Sequence, residues 1–255
     1  QFIHPIEDQL VGIKKIIIIG EAYTHLLPFD VLIHQNEDKP FQQMDFLIKH
    51  FEISYHYSAT LWSDLPASIP QFKQELLAFA PVFDLKNAHS PVFGRLASTT
   101  RDSTFRAFTT RGDWSPLPWT EKEVTKIAQL FRAKDKGSVK LLMREKADEK
   151  NLKIGLEQGA RYIHLASHSF ANLQNPKFSG IACYSDKNEP LDGTLYVGEI
   201  YNLTINADLV VLSSCESGKG KLLRAEGPLG LNRAFLYAGV PNVLFALWKI
   251  NDRAT

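Results

Sequence analysis

Between Ser138 and Trp248, short apolar runs alternate with amphipathic stretches, and this alternation restricts the fold more than any other feature of the chain. "SVKLLM" (138–143), "RYIHLASH" (161–168), "FSGIACY" (178–184), "DLVVLSS" (208–214) and "NVLFALW" (242–248) read as strands. Residues 144–157, "VGEIYNL" (197–203) and "GPLGLNRAFLYAG" (227–239) read as helices. Nearly continuous apolar runs suit strands covered on both faces. Strands separated by helices imply a mainly parallel sheet in an α/β fold, with ligands at the carboxyl ends of the strands.

Upstream, "TEKEVTKIAQLFRAK" carries Val124, Ile127, Ala128 and Phe131 at helical spacing. Thr120, three residues before Glu123, reads as a capping box that opens this helix. "KKIIIIG" (14–20) and "FEISYHYS" (51–58) read as two more strands, with "QQMDFLIKHF" between them helical. The Ser-, Thr-, Arg- and Pro-rich stretch from Ala88 to Pro118 reads as a long loop anchored by Phe105 and Phe108.

Two strands end on reactive side chains. "IHLASH" delivers His168 and "LVVLSS" delivers Cys215, so in a parallel sheet both stand on one rim. A lone thiol is often a small buried apolar residue. Cys215, however, follows Ser213 and Ser214 and precedes Glu216, Ser217 and Gly218, a turn rather than an apolar run. A thiol nucleophile needs a base beside it, and His168 on the neighbouring rim supplies one. His164, on the same face and deeper in its strand, reads as a hydrogen-bonded core histidine. No metal is expected, since neither histidine is joined by a second ligand cluster at short spacing. The "SGKGK" turn lacks the order of a phosphate-binding loop, and histidine before nucleophile is the wrong order for an α/β-hydrolase.

Composition closes off other classes. At 44% apolar and 22% charged residues the chain is ordinarily globular, and a net charge of +1 provides no field to draw nucleic acid or a membrane. No run approaches the roughly 20 apolar residues of a membrane span, and "QFIHPIEDQL" has no signal-peptide pattern. Two cysteines, Cys183 and Cys215, argue against a disulfide framework, so a reducing, cytoplasmic setting is expected. The chain starts at Gln1 rather than Met and stops at Thr255 directly after a strand-like run, so it reads as an excerpt of something longer.

From 165 to 255 the motifs "FSGI", "DGTLYVGEI", "LSSCESGKG", "EGPLGLNRAFLYAGV" and "LWKINDRAT" follow one another in a set order. This set resembles the CHAT peptidases, caspase-like cysteine proteases related to the separases. "LLPFDVL" (26–32), "FLIKHFEISYHYSATLW" (46–62) and "LPWTEKEV" (117–124) extend the resemblance more loosely towards the amino terminus. It implies a caspase-like three-layer sandwich, with a divergent amino-terminal subdomain at 1–112 and a catalytic part at 113–255. It implies a cysteine endopeptidase with a His168–Cys215 dyad and an oxyanion hole made by the backbone N–H groups of Ser169 and Cys215. Serine at 169 stands where the family often has glycine, so a positive φ there would be strained.

The resemblance further implies that substrate lies along "VLFALW", with Trp248 and Asp252 beside it. Asp252 reads either as a pocket acid for a basic side chain or as a helix cap. Glu216 and Glu226 read as loop-orienting acids. The implied partners are a protein substrate and a tetratricopeptide-repeat region, sensor or activator that relieves latency, with no cofactor, although no repeat is visible in this chain. The competing expectation is an interaction or signalling module of the same fold with an idle dyad.

Overall fold

The computed structural model describes residues 4–20, 27–34, 39–56, 58–63, 72–83, 114, 116–133, 138–172, 175–185, 192–214 and 227–246. The chain divides into two compact units, Gln1–Ala67 and Ser68–Thr255. The boundary expected at 112/113 falls outside the described residues.

In the first unit, β1 (Lys15–Ile19) and β2 (Glu52–His56) pair in parallel, Lys15 opposite Glu52 and Ile19 opposite His56. A short helix, α1 (Ala59–Ser63), follows β2. The stretch 42–51 is not the helix its apolar content suggests. It forms 3-10 turns at Phe41–Gln43 and Leu47–Lys49, separated by extended residues at Met44 and Phe46. The reason is local: Phe46 bridges Ile33, and the N–H groups of Leu47 and His34 are spent on the carbonyls of Leu32 and Asp45 at 2.8 and 2.7 Å.

The second unit is built on a five-stranded parallel sheet. Its strands are β3 (Leu76–Ala80), β4 (Val139–Met143), β5 (Tyr162–Ala166), β9 (Leu209–Ser213) and β10 (Val243–Phe245), in the order β10-β9-β5-β3-β4. The α/β expectation with a mainly parallel sheet is met. β3, "LLAFA", escaped the sequence reading, although it is buried at every position and lies between β4 and β5.

Alternation along these strands sorts two apolar layers. Leu77, Phe79, Ile163, Leu165, Val210 and Leu212 face one way, and Leu76, Ala78, Ala80 and Ala166 the other. The first face is covered by α3 (Glu149–Gln158), α4 (Val197–Ile200) and α5 (Gly227–Tyr237), through residues such as Leu152, Ile200 and Phe235. The second is covered by α2 (Pro118–Ala133), whose Val124 and Ala128 are buried while Ile127 and Phe131 pack at the margin. Helix, sheet and helix make the three layers of a caspase-like fold.

Two helix starts differ from expectation. α2 begins at Pro118, a residue suited to a first turn, and no capping box forms: the Thr120 hydroxyl donates to the Leu117 carbonyl at 2.8 Å, and Glu123 turns to His164. The helix expected over 144–157 is broken into a 3-10 turn at Arg144–Lys146 and α3. Arg144 sits at φ 51° with its guanidinium on Glu121 at 3.2 and 2.6 Å, and the Asp148 carboxylate accepts from the Asn151 N–H to start α3 afresh. α3 stops at Gly159, where φ is 73° and a Cβ would lie 2.7 Å from the Asn206 carbonyl oxygen.

"FSGIACY" does form a strand, but outside the main sheet. β6 (Ser169–Phe170), β7 (Gly180–Ala182) and β8 (Thr194–Tyr196) make a separate antiparallel sheet in that order. The connection from Phe170 to Gly180 is shorter than the dozen or so residues a parallel crossover needs, so the chain doubles back. Among the described residues no helix is long and apolar enough to cross a membrane.

Candidate functional site

The parallel ladder of β5 and β9 runs from Tyr162 opposite Leu209 to Ala166 opposite Ser213. Ser167, His168 and Ser169 follow at the carboxyl end of β5, where an α/β sheet presents its ligand sites. Ser214 follows β9. The Ser169 hydroxyl donates to the Ser214 hydroxyl at 2.9 Å, tying the two turns together beyond the last ladder pair.

His168 is buried, with 1% of its surface exposed. Its carbonyl accepts the Ala182 N–H at 2.9 Å and the preceding Ser167 hydroxyl donates to the Ala182 carbonyl at 2.5 Å, so both anchor the turn to β7. The imidazole packs against two aromatic rings that also touch each other, 6.2 Å between their centroids. Trp114 stacks on it at 5.2 Å between centroids and 16° between planes, and Phe83 tilts against it at 5.2 Å and 37°. Trp114 also stacks with Phe170 at 5.9 Å. Trp114 stacks over one face of the ring, whereas acid–base chemistry uses the nitrogens at its edge.

Trp114 and Phe83 were missed in the sequence. Trp114 lies in "GDWSP", within the stretch read as a loop, where an isolated tryptophan carries no periodicity to mark it. Ser169 runs in the extended β6, so the strain foreseen for a serine at positive φ does not arise. His164 is the core histidine expected from its depth: it is buried, and its Nε2 lies 2.8 Å from Glu123 Oε1, across the β5–α2 contact.

Cys183 is a buried free thiol directly after β7. Burial pushes it well above the ordinary thiol range, with the Glu149 carboxylate adding to the effect, so it is held protonated and unreactive. Cys215, Trp248 and Asp252 lie outside the described residues, as do Glu216 and Glu226.

A polar network links the elements around β8. Lys153 on α3 reaches Glu149 and Glu199, both at 2.6 Å, and Glu199 accepts the Tyr196 N–H at 2.9 Å, joining α3 to β8 and α4. Burial raises the carboxyl of Glu149, whose second oxygen is unpartnered, and that of Asp192.

Curated relatives are remote and much longer. The chain is 25% identical to the mouse (Mus musculus) tetratricopeptide repeat protein 28 over 214 residues, 71% of this chain and 8% of that protein. It is 23% identical to the human (Homo sapiens) counterpart over 270 aligned residues, 93% of this chain and 10% of that protein. The chain thus spans about a tenth of the length of the relatives it matches. The sequence profile of the CHAT domain matches residues 1–255. With that match over the whole chain and a caspase-like parallel sheet beneath it, the protein belongs to the CHAT domain family, a caspase-like family related to cysteine peptidases.

Proposed function

We propose that this protein is a cysteine endopeptidase that hydrolyses protein substrates through Cys215 and His168. The observation that carries the reading is the Ala166–Ser213 ladder pair of adjacent parallel strands, closed by the Ser169–Ser214 hydroxyl bond. His168 and Cys215 each stand two residues past that ladder pair in sequence. In the proposed reaction His168 takes the thiol proton and Cys215 attacks the scissile carbonyl. The tetrahedral oxyanion is met by the N–H groups of Ser169 and Cys215, worth a few kcal/mol each. Collapse to the thioester breaks the C–N bond as His168 protonates the leaving amine, and His168 then activates water for deacylation.

Trp248 and Asp252 are proposed to line the substrate cleft, Asp252 favouring a basic residue before the cut. The long relatives carry tetratricopeptide repeats in their name, which supports a repeat or sensor region as the partner that switches the site on. The competing reading is an interaction module with an idle dyad, and the near-complete burial of His168 is what favours it.

Covalent labelling with an electrophilic peptide decides between them. Labelling that disappears in Cys215→Ala and slows by about 100-fold or more in His168→Ala is the expected result, the range for loss of a general base. Equal labelling of the parent and Cys215→Ala would sink the enzyme reading.

A further inference from the structure

The amino-terminal unit contains a second group of side chains with chemical potential, far in sequence from the dyad. Among the described residues, His34, Asp45 and His50 are the three that bring potential metal ligands together, one atom from each lying within 4.8 Å of the others. The sequence gives no warning, because the gap from His34 to Asp45 is too long for a ligand motif.

The fold closes that gap. The Ile33–Phe46 bridge sets His34 opposite Asp45, with the His34 N–H on the Asp45 carbonyl at 2.7 Å. The 3-10 turn at Leu47–Lys49 then curls the chain back, the N–H groups of His50 and Phe51 reaching the Leu47 carbonyl at 2.9 and 3.0 Å. His50 Nε2 thereby comes to 2.7 Å from Asp45 Oδ1, and His34 Nδ1 to 3.7 Å from Asp45 Oδ2. The two imidazoles lie 4.9 Å apart between centroids at 31°.

We propose that His34, Asp45 and His50 bind a zinc-type divalent transition metal. Bonds of about 2.0–2.1 Å in a tetrahedron place donors roughly 3.3 Å apart. Here the two oxygens of Asp45 each face one imidazole nitrogen, at 2.7 Å from His50 and 3.7 Å from His34, with one ligand atom of each residue within 4.8 Å of the others. Two neutral imidazoles and one carboxylate suit zinc or a neighbouring first-row ion rather than calcium or magnesium, which take oxygen ligands. The side chains are 20%, 32% and 41% exposed, so water can complete the shell and the ion can enter from solvent. The nearby cation Lys49 has its ammonium on the Met44 carbonyl at 2.6 Å.

The unit also has reason to need such a clip. Leu47, at the centre of the bridge and turn, is its one fully buried large apolar side chain among the described residues. Small units with thin cores are commonly held by a metal or another cross-link, and here the ion would join both ends of the segment that wraps Leu47.

The test uses the full chain, stripped of metal by a chelator and carrying Cys215→Ala and His168→Ala, so that the dyad cannot compete for the ion. Zinc chloride titrated by calorimetry should bind at one equivalent with Kd tighter than about 10 μM. Asp45→Asn, which preserves shape, and His34→Ala should each weaken binding by more than about 100-fold, beyond the loss seen when only a hydrogen-bond partner behind a ligand is removed. Cobalt in place of zinc should show the visible bands of a tetrahedral site without thiolate charge transfer, and circular dichroism checks that each variant is folded. No binding by the parent up to about 100 μM zinc, or one equivalent bound equally well by folded Asp45→Asn, overturns the proposal.

Discussion

β1 and β3 look alike as sequences, "KIIII" and "LLAFA", and both pair in parallel with their neighbours. Their outcomes differ. Every residue of β3 is buried, whereas Ile17 and Ile19 of β1 remain 38% and 45% exposed. What separates them is the covering layer: β3 lies inside a five-stranded sheet with helices on both faces, and β1 belongs to a two-stranded pair. An apolar strand states a demand for cover, and only the rest of the fold decides whether it is met. The amino-terminal unit leans on polar contacts instead, such as the Tyr55 hydroxyl donating to Asp30 at 2.5 Å and accepting the Phe29 N–H at 2.7 Å.

The contrast is broken most directly in the core. Phe79→Ala should cost about 3–5 kcal/mol, the range for deleting a fully buried phenylalanine, read by chemical denaturation of the carboxyl-terminal unit. A loss below about 1 kcal/mol would mean that β3 is not the packed centre described here. In the other unit the sensitive positions should be polar. Tyr55→Phe should cost about 1 kcal/mol, one net hydrogen-bonding group, and should do so in an unfolding transition separate from that of the sheet. One shared, cooperative transition would show that the two units are energetically a single body.

The smallest effect is a change of slope with pH. Burial raises the Glu149 carboxyl, an effect that its bond to Lys153 only partly offsets. A raised carboxyl stabilises the fold below the ordinary glutamate value of 4.5, and that contribution is lost as pH rises through the higher folded value. Glu149→Gln removes this dependence, so its stability relative to the parent should rise from acid to neutral pH, measured by denaturation at each pH. A fall over the same range would mean that the Lys153 pairing dominates and the carboxyl is lowered.

At the candidate site, legibility followed range. His168 was readable because it ends an apolar run, and His164 because it lies within one; both statements need only the local pattern. The Glu123 partner of His164 was mistaken for part of a cap, since a Thr–x–x–Glu spacing looks the same whether the glutamate turns to its own helix or to a strand. Trp114 and Phe83 could not be assigned to His168, because stacking joins residues that no periodicity relates. β3 was overlooked for a different reason: it is a five-residue run without a flanking helix in the sequence reading, ended by Pro81.

The sequence by itself determined the α/β class, the spacing of β5 and β9, the apolar stripe of α2 and the family, because these rest on periodicity and on ordered local motifs. Only the tertiary structure decided that β7 leaves the main sheet, that Arg144 splits a helix, and that His34, Asp45 and His50 meet. Each of these depends on backbone hydrogen bonds, ion pairs or side-chain contacts between positions distant in the chain. Their partners are chosen by packing in space, and no local pattern records that choice.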